Sequence, residues 1–227
     1  MKKLKRIVMV NWYLFEAEEW DVEGNVALVG KNGSGKSSFI DAIQLVMLGG
    51  NQGDWKPNAK APSKSDKRNI RGYVLGIVKD EEAIGDSRDY QPREDALSRI
   101  VLVFEDEATG ESISVGGAFS ARRSDPHAEI EGYFIASGLD MHVVDLLDEN
   151  QCVRPYSEVK AFCKQHTRDG DLYTFAHEPK KVMEQLMYSL GPEGRPTVLT
   201  KFRRAFKQSI NMSGLEGSVS DFVKSSI

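Results

Sequence analysis

The residues with the clearest chemical potential lie at positions 30–37, which read Gly-Lys-Asn-Gly-Ser-Gly-Lys-Ser and fit the pattern G-x-x-x-x-G-K-[ST] throughout. The glycines of such a loop let the backbone turn tightly and direct successive N–H groups inward, which forms a nest for an anion. In such a loop Lys36 reaches the β- and γ-phosphate oxygens, and the Ser37 hydroxyl binds Mg²⁺. The pattern therefore predicts a site for ATP and Mg²⁺ in which Lys36 is the catalytic cation.

The surroundings of the loop favour nucleotide binding over the alternative, a glycine turn capped by a serine beside a solvated lysine. Residues 26–29 form a short apolar run that is typical of a strand buried on both faces. Residues 36–48 carry apolar side chains at helical spacing, and Gly49 and Gly50 end this helix. Its N-terminus directs a positive dipole end at the loop. The predicted nucleotide contacts are Gly30, Lys31, Asn32, Gly33, Ser34, Gly35, Lys36, Ser37 and Ser38, and Ser37 is also the predicted Mg²⁺ ligand.

A second group of residues is basic. Residues 56–72 contain six lysines and arginines against one acid, although the whole chain has a formal net charge of −4. Local charge of this kind can bind phosphate despite a negative total. The predicted DNA contacts are Lys64, Lys67, Arg68 and Arg71, and the alternative is that this segment is a solvated loop.

The elements that must position these residues are predicted from periodicity. The strands are predicted at 4–14, 15–22, 99–104, 112–120 and 130–136, and the helices at 157–166, 178–190, 197–210 and 218–227. Residues 51–68 show no periodicity and are predicted to form a long loop. The strands from residue 99 onward are expected to pair antiparallel, because their connections are too short for crossover helices.

Composition limits the class of protein. The chain has 227 residues, of which 40% are hydrophobic, so it can bury the core of one large domain. No apolar run approaches the roughly 18 residues of a membrane span. Cys152 and Cys163 cannot form a disulfide framework, and the four histidines lack metal-ligand spacing. We therefore expect a soluble, cytoplasmic protein that does not bind a membrane.

The loop and the helix after it carry a family resemblance. Residues 32–43 read Asn-Gly-Ser-Gly-Lys-Ser-Ser-Phe-Ile-Asp-Ala-Ile, and they resemble the N-G-x-G-K-S-[NST]-[ILF]-[IL]-[DE]-A-[IL] pattern of the SMC and RecF-like branch of ABC ATPases. Asn11-Trp12, followed by Tyr13-Leu14-Phe15, is similar to the start of MukB-like heads. Residues 71–76 and 100–104 also suit this group. The chain most resembles the condensin-like ATPases of MksBEF and Wadjet plasmid-defence systems, the JetC or MksB type.

This resemblance implies a fold and a division of the chain. The fold would be an α/β P-loop NTPase, the N-terminal lobe of an ABC/SMC-type head, with a mixed sheet, an antiparallel β subdomain and C-terminal helices. Residues 1–210 would form that lobe. Residues 211–227 would begin the helix that leads toward a coiled coil absent from this chain.

The resemblance also implies a function and partners. The chain would be the ATP-binding half of a condensin-like ATPase, in which ATP-driven head engagement moves or extrudes double-stranded DNA for chromosome organisation or plasmid defence. Its partners would be the C-terminal lobe of the same protein, a second head in a homodimer, kleisin and accessory subunits and, in Wadjet, a nuclease subunit. Such a protein would be cytoplasmic and associated with the nucleoid.

An ATPase of this type also needs a Walker B strand that ends in Asp-Glu and a serine-glycine signature. Residues 143–149 and 100–107 have apolar runs followed by acids, but Asp145 would lie inside the first strand, and the second runs into a hairpin turn. Residues 212–215 are a poor signature candidate. We therefore expect the chain to be inactive in ATP hydrolysis without the C-terminal lobe. Two alternatives remain open: a self-contained P-loop kinase or GTPase, and a nucleotide-binding interaction module that does not hydrolyse ATP.

Overall fold

The computed structural model describes residues 2–24, 26–31, 34–57, 69–77 and 91–191. Within these ranges the elements are β1 (Lys2–Trp12), β2 (Phe15–Asp21), α1 (Lys36–Met47), α2 (Ile70–Leu75), β3 (Asp95–Asp106), β4 (Ser112–Arg122), β5 (Glu129–Ser137), a 3₁₀ turn (Val143–Leu146), α3 (Tyr156–His166), β6 (Leu172–Phe175) and α4 (Pro179–Leu190). The strands predicted at 4–14, 15–22, 99–104, 112–120 and 130–136 are confirmed, as are the helices at 36–48, 157–166 and 178–190. Neither α2 nor β6 was predicted from the sequence. The helices predicted at 197–210 and 218–227, and the boundary at residue 210, lie outside the described residues.

The described strands form one sheet in the order β2-β1-β3-β4-β5-β6. Every pair of neighbours is antiparallel, so the prediction of a mixed sheet is wrong for the described residues. The predicted antiparallel subdomain is also not separate, because β3 pairs with β1 along most of its length. The physical reason is that β1–β2 and β3–β4 are hairpins, whose strands pair antiparallel, and that the connection from β2 to β3, which carries α1 and α2, returns on the far side of β1, so β2 and β3 are not neighbours.

Both faces of this sheet are covered. The period of two sends Ile100 and Leu102 of β3 to the face that α1, α2 and α4 cover, and Val101 and Val103 to the face that the 3₁₀ turn and α3 cover. All four side chains are fully buried. The apolar run of β3 therefore belongs to the middle layer of a three-layer arrangement. Helix α1 packs on one face of this strand.

The segment before the loop differs from its prediction. Residues 26–29 form no strand, and Val26, Leu28 and Val29 are exposed rather than buried on both faces. A strand needs a neighbour for its backbone hydrogen bonds, and burial on both faces needs two covering layers. The described part of the chain supplies neither to this segment, because β2, the strand at that edge of the sheet, pairs only with β1.

Arg6 on β1 is a buried cation that connects β2 to the segment before the 3₁₀ turn. Its Nε donates to Asp21 Oδ1 at 2.8 Å, and its Nη1 donates to Asp140 Oδ1 at 2.5 Å. Nη1 also lies 3.0 Å from His142 Nε2. Because a guanidinium can only donate, this ring nitrogen accepts, and His142 Nδ1 donates to Glu19 Oε1 at 3.1 Å. These contacts hold the edge strand β2 in place.

Replacing Asp140 with asparagine should make the free energy of unfolding depend less on pH below pH 7. Burial raises the pKa of Asp140, but the hydrogen bond from Lys5 and the charge of Arg6 outweigh burial, so the net pKa lies below its ordinary value. A lowered carboxyl pKa contributes stability that is complete above an unfolded value of about 4 and is lost as the pH falls through the folded value. Urea unfolding between pH 7 and pH 3 measures this, with Asp140→Asn losing less stability than the parent over that range.

The matched control for this experiment is Asp169→Asn, which removes an exposed carboxyl in the turn after α3. This variant should keep the parent's dependence on pH. Equal slopes for Asp140→Asn and the parent would show that the charge of Asp140 does not contribute to folding.

Candidate nucleotide-binding site

The loop joins α1 at Gly35, where the backbone has to be glycine for two reasons. Gly35 has φ +87°, which side chains other than glycine rarely adopt. A Cβ at this position would also lie 2.9 Å from Cζ of Phe15. Phe15 on β2 therefore approaches the backbone of the loop directly, and the position of β2 determines where α1 begins.

Lys36 lies inside the loop that precedes it. Its Nζ donates to the carbonyl oxygens of Gly30 at 2.7 Å and Lys31 at 2.6 Å, and it lies 3.4 Å from Ser34 Oγ. The structure thus brings four of the predicted contacts together, with Gly30, Lys31 and Ser34 around the ammonium group of Lys36. The first turn of α1 carries no acidic side chain, so its positive end is not neutralised there.

The two serines after Lys36 point in different directions. Ser37 is exposed at the start of α1, whereas Ser38 is fully buried. An exposed hydroxyl at a helix N-terminus is available to a metal ion that arrives with a nucleotide. The roles of Ser37 and Ser38 in binding Mg²⁺ and phosphate stay predictions. Asn32 and Gly33, the other predicted contacts, lie outside the described residues.

Three aromatic rings pack between β2 and the first turn of α1, next to the loop. The ring centroid of Trp20 lies 5.2 Å from that of Phe15 and 5.0 Å from that of Phe39, and both pairs meet edge to face. Phe39 lies on α1, and the other two rings lie on β2. Aromatic pairs of this geometry stabilise the packing by about 0.5–1.5 kcal/mol each beyond burial. The rings therefore hold β2 and the first turn of α1 at a fixed separation.

An apolar groove of about 500 Å³ lies beside these rings, between α1, β1, β2 and residues 26–30. Val26, Leu28 and Val29 line one side of it, and Ile40 of α1 lines another. All four side chains are exposed, and Val29 has 90% of its surface accessible. The loop thus stands at the end of an apolar surface that the described residues leave uncovered.

A set of buried polar contacts to α1 was missed by the sequence analysis. The indole nitrogens of Trp12 and Trp55 donate to the carbonyl oxygens of Ser38 and Asp41, at 2.8 and 2.9 Å. Tyr73 of α2 donates its hydroxyl to the Asp41 carboxylate. Patterns along the chain predict none of these contacts, because they do not show which distant residues meet in the fold.

Three acids of the candidate Walker B segments, Asp145, Asp148 and Asp106, have structural partners. Asp145 Oδ2 accepts from the backbone N–H of His142 at 2.8 Å and caps the 3₁₀ turn, so residues 143–146 are not a strand. Asp148 Oδ1 accepts from the backbone N–H groups of Asn150 and Cys152, both at 2.8 Å. Asp106 likewise accepts from the backbone N–H after β3, which lowers its pKa. Each acid is therefore part of a turn.

The predicted DNA contacts are only partly described. Arg71 on α2 donates from Nη2 to the carbonyl oxygen of Arg123 at 2.7 Å, so one of its donors is in use. Lys64, Lys67 and Arg68 lie outside the described residues, as do the signature candidate at 212–215 and any contact it makes. Among the residues that the structure describes, no group of three or more His, Cys, Asp or Glu side chains could hold a metal ion.

Comparison with known proteins agrees with the class of site. Residues 4–63 match the family described as the P-loop containing region of AAA domain. This part of the chain is therefore similar to the nucleotide-binding regions of P-loop ATPases, which bind a nucleotide and usually Mg²⁺. A search of the curated proteins finds no match. In the described part of the chain, no helix is both long enough and apolar enough to span a bilayer.

Replacing Lys36 with alanine should lower the affinity for MgATP at least about tenfold, because the variant loses the one cation that the loop encloses. Isothermal titration calorimetry measures the dissociation constants. Lys56→Ala is the matched control, because its ammonium is exposed and donates to the carbonyl oxygen of Gly53 rather than to the loop. Equal affinity in the parent and Lys36→Ala would show that the loop does not bind phosphate.

Proposed function

We propose that this chain is the ATP-binding half of a condensin-like SMC ATPase head. It binds ATP and Mg²⁺ at residues 30–38, and engagement of two such heads drives movement or extrusion of DNA. The observation that carries the proposal is the uncovered apolar segment before the loop, where Val26, Leu28 and Val29 are exposed beside a groove. A phosphate-binding loop normally follows a buried strand, so this segment fits a strand whose neighbours come from another part of the head.

The second support is the distribution of chemistry among the described residues. They include a loop at the start of a helix whose carbonyl oxygens bind the Lys36 ammonium group. The Walker B candidates Asp145, Asp148 and Asp106 have structural partners instead. A site with the phosphate cradle on one lobe and the catalytic acid on another hydrolyses ATP only when the lobes meet. The C-terminal lobe of the same protein is the proposed source of the acid, the signature and the missing strands.

The remaining parts of the proposal extend it to the assembly. Two heads form a homodimer that encloses ATP, kleisin and accessory subunits bind the heads, and a nuclease subunit joins them in a plasmid-defence complex. The protein then works in the cytoplasm, on the nucleoid. The resemblance of residues 32–43 to the SMC pattern supports these statements.

The first test of this proposal is complementation. The chain alone should hydrolyse ATP at the background rate, and addition of the C-terminal lobe should raise turnover, because the lobe supplies the catalytic acid and covers the groove. Val26→Glu should reduce the stimulated rate at least about tenfold, since a charge then lies on a surface that must be buried. A coupled phosphate-release assay measures both rates.

Val144→Glu is the matched control, because Val144 is as exposed as Val26 but lies on the 3₁₀ turn, on the other face of the sheet. It should leave the stimulated rate unchanged. Turnover by the chain alone would contradict the proposal and favour a self-contained P-loop enzyme. ATP binding without turnover in the mixture would favour a nucleotide-binding interaction module.

The second test concerns DNA. The basic residues between 56 and 71 should contact the phosphate backbone, so binding should be independent of sequence and weak, with a dissociation constant on the order of 10⁻⁴ to 10⁻⁶ M. Its logarithm should change by roughly 0.9 per phosphate contact for each tenfold change in salt. Reversing Lys64, Lys67 and Arg68 to glutamate should weaken binding and leave MgATP affinity intact. Fluorescence anisotropy with labelled duplex DNA measures the affinity.

The matched control reverses three basic residues of the α3 region, Lys160, Lys164 and Arg168, and α3 packs on the face of the sheet opposite α1 and α2. This control changes the net charge by the same amount, so any general effect of charge appears in both variants. An equal loss in both variants would place the effect in net charge rather than in a DNA-binding surface.

A further inference from the structure

Three buried hydrogen bonds reach α1 from one side. Trp12 donates to the carbonyl oxygen of Ser38 at 2.8 Å, Trp55 donates to the carbonyl oxygen of Asp41 at 2.9 Å, and Tyr73 donates to the Asp41 carboxylate. Residues 38 and 41 are three apart, so their backbone groups lie on one side of the helix. Hydrogen bonds have narrow distance and angle limits, so three of them restrict the rotation and axial position of α1 more tightly than apolar packing alone.

Tyr73 is at the centre of these contacts. Its ring stacks on Trp12 with centroids 4.6 Å apart and an interplanar angle of 17°, and its centroid lies 5.9 Å from that of Trp55. Its carbonyl oxygen accepts from the backbone N–H of Tyr13 at 2.7 Å. Only 1% of the Tyr73 surface is exposed. The residue therefore connects α2 and the β1–β2 turn to α1 through both its backbone and its side chain.

Asp41 is an unusual residue to bury at this place. It is 4% exposed and lies in the second turn of α1, on a helix that packs against the apolar face of the sheet. Burying a carboxylate is unfavourable unless hydrogen bonds compensate. Asp41 follows Ser37 by four residues, so the two lie on the same side of α1, one turn apart. A contact that fixes Asp41 therefore also fixes the direction in which Ser37 leaves the helix.

We infer that Tyr73 and Asp41 are positioning residues for the MgATP site. The Tyr73 hydroxyl holds Asp41, and through it the first two turns of α1, so that Ser37 faces the metal bound to the nucleotide. This inference rests on the proposed nucleotide binding at residues 30–38. It assigns a role in metal-dependent affinity to two residues outside positions 30–38.

The experiment compares two tyrosine-to-phenylalanine variants. Tyr73→Phe keeps the stacked ring and removes only the hydroxyl that reaches Asp41. Tyr156→Phe is the matched control, because it also removes one buried hydroxyl, which donates to the carbonyl oxygen of Tyr133 at 2.7 Å. Tyr156 lies on α3, across the sheet from α1. Calorimetric titrations with ATP in Mg²⁺ and with ATP in EDTA, together with thermal unfolding, give affinity and stability for each variant.

Tyr73→Phe should lower the affinity for MgATP about tenfold, because the variant loses the charge-assisted hydrogen bond from the Tyr73 hydroxyl to the Asp41 carboxylate. Its affinity for ATP in EDTA should change less than about threefold, since without metal the Ser37 position matters less. Tyr156→Phe should change neither affinity, although both variants lower the melting temperature. The dependence on metal is the readout that a purely structural role does not move.

A graded series at Asp41 provides the second measurement if Tyr73→Phe does not fold. Asp41→Asn keeps an oxygen that can accept from Tyr73 without its charge, and Asp41→Ala removes the acceptor. Affinity for MgATP should fall in the order parent, Asp41→Asn, Asp41→Ala, with affinity in EDTA nearly constant.

The outcomes separate the two proposals. A parent chain that does not bind MgATP overturns the proposed function and this inference together. A parent that binds MgATP while Tyr73→Phe binds it equally well overturns the inference alone. Equal losses in Tyr73→Phe and Tyr156→Phe, or equal losses with and without Mg²⁺, also overturn it, because they show a general effect of stability.

Discussion

The constraint on which this structure depends is that α1 exposes Ser37 in its first turn and buries most of the residues after it. Eight of its twelve residues are buried, including the polar residues Ser38, Asp41 and Gln44. A helix with this many buried residues needs an apolar surface to pack on, and its buried polar groups need hydrogen-bond partners. The sheet supplies the surface, and the tryptophans and Tyr73 supply hydrogen bonds to the helix.

The support of α1 is nevertheless one-sided. One side of α1 packs against the sheet, α2 and α4. On another side, Ile40 faces the groove beside residues 26–30. The anchoring of β2 belongs to the same arrangement, because Arg6 and Glu19 fix the strand that carries Phe15 and Trp20. The loop thus rests on a rigid layer on one side and on an open apolar surface on the other. This asymmetry is the physical basis for proposing a second lobe.

Sequence reasoning found the elements with strong periodicity and failed where burial depends on neighbours. The apolar runs at 26–29 and 100–103 look alike, but among the residues that the structure describes only the second has strands on both sides and layers on both faces. The loop from Gly30 to Ser37 was recognisable because its chemistry is local. Asp41 and Tyr73 were not, because their contact joins positions 32 residues apart and leaves no periodic trace. The antiparallel pairing of β1 with β3 was hidden for the same reason, since about 80 residues separate the two strands.

The chain has three tryptophans, and each of them reports on the same helix. Trp12 and Trp55 are bonded to backbone carbonyls of α1, and Trp20 meets the ring of Phe39 on its first turn. Indole emission responds to the polarity and hydrogen bonding around the ring, so the tryptophan fluorescence of this protein comes entirely from the surroundings of α1. An optical spectrum of the unlabelled chain is therefore a measurement of one helix, taken without attaching a probe.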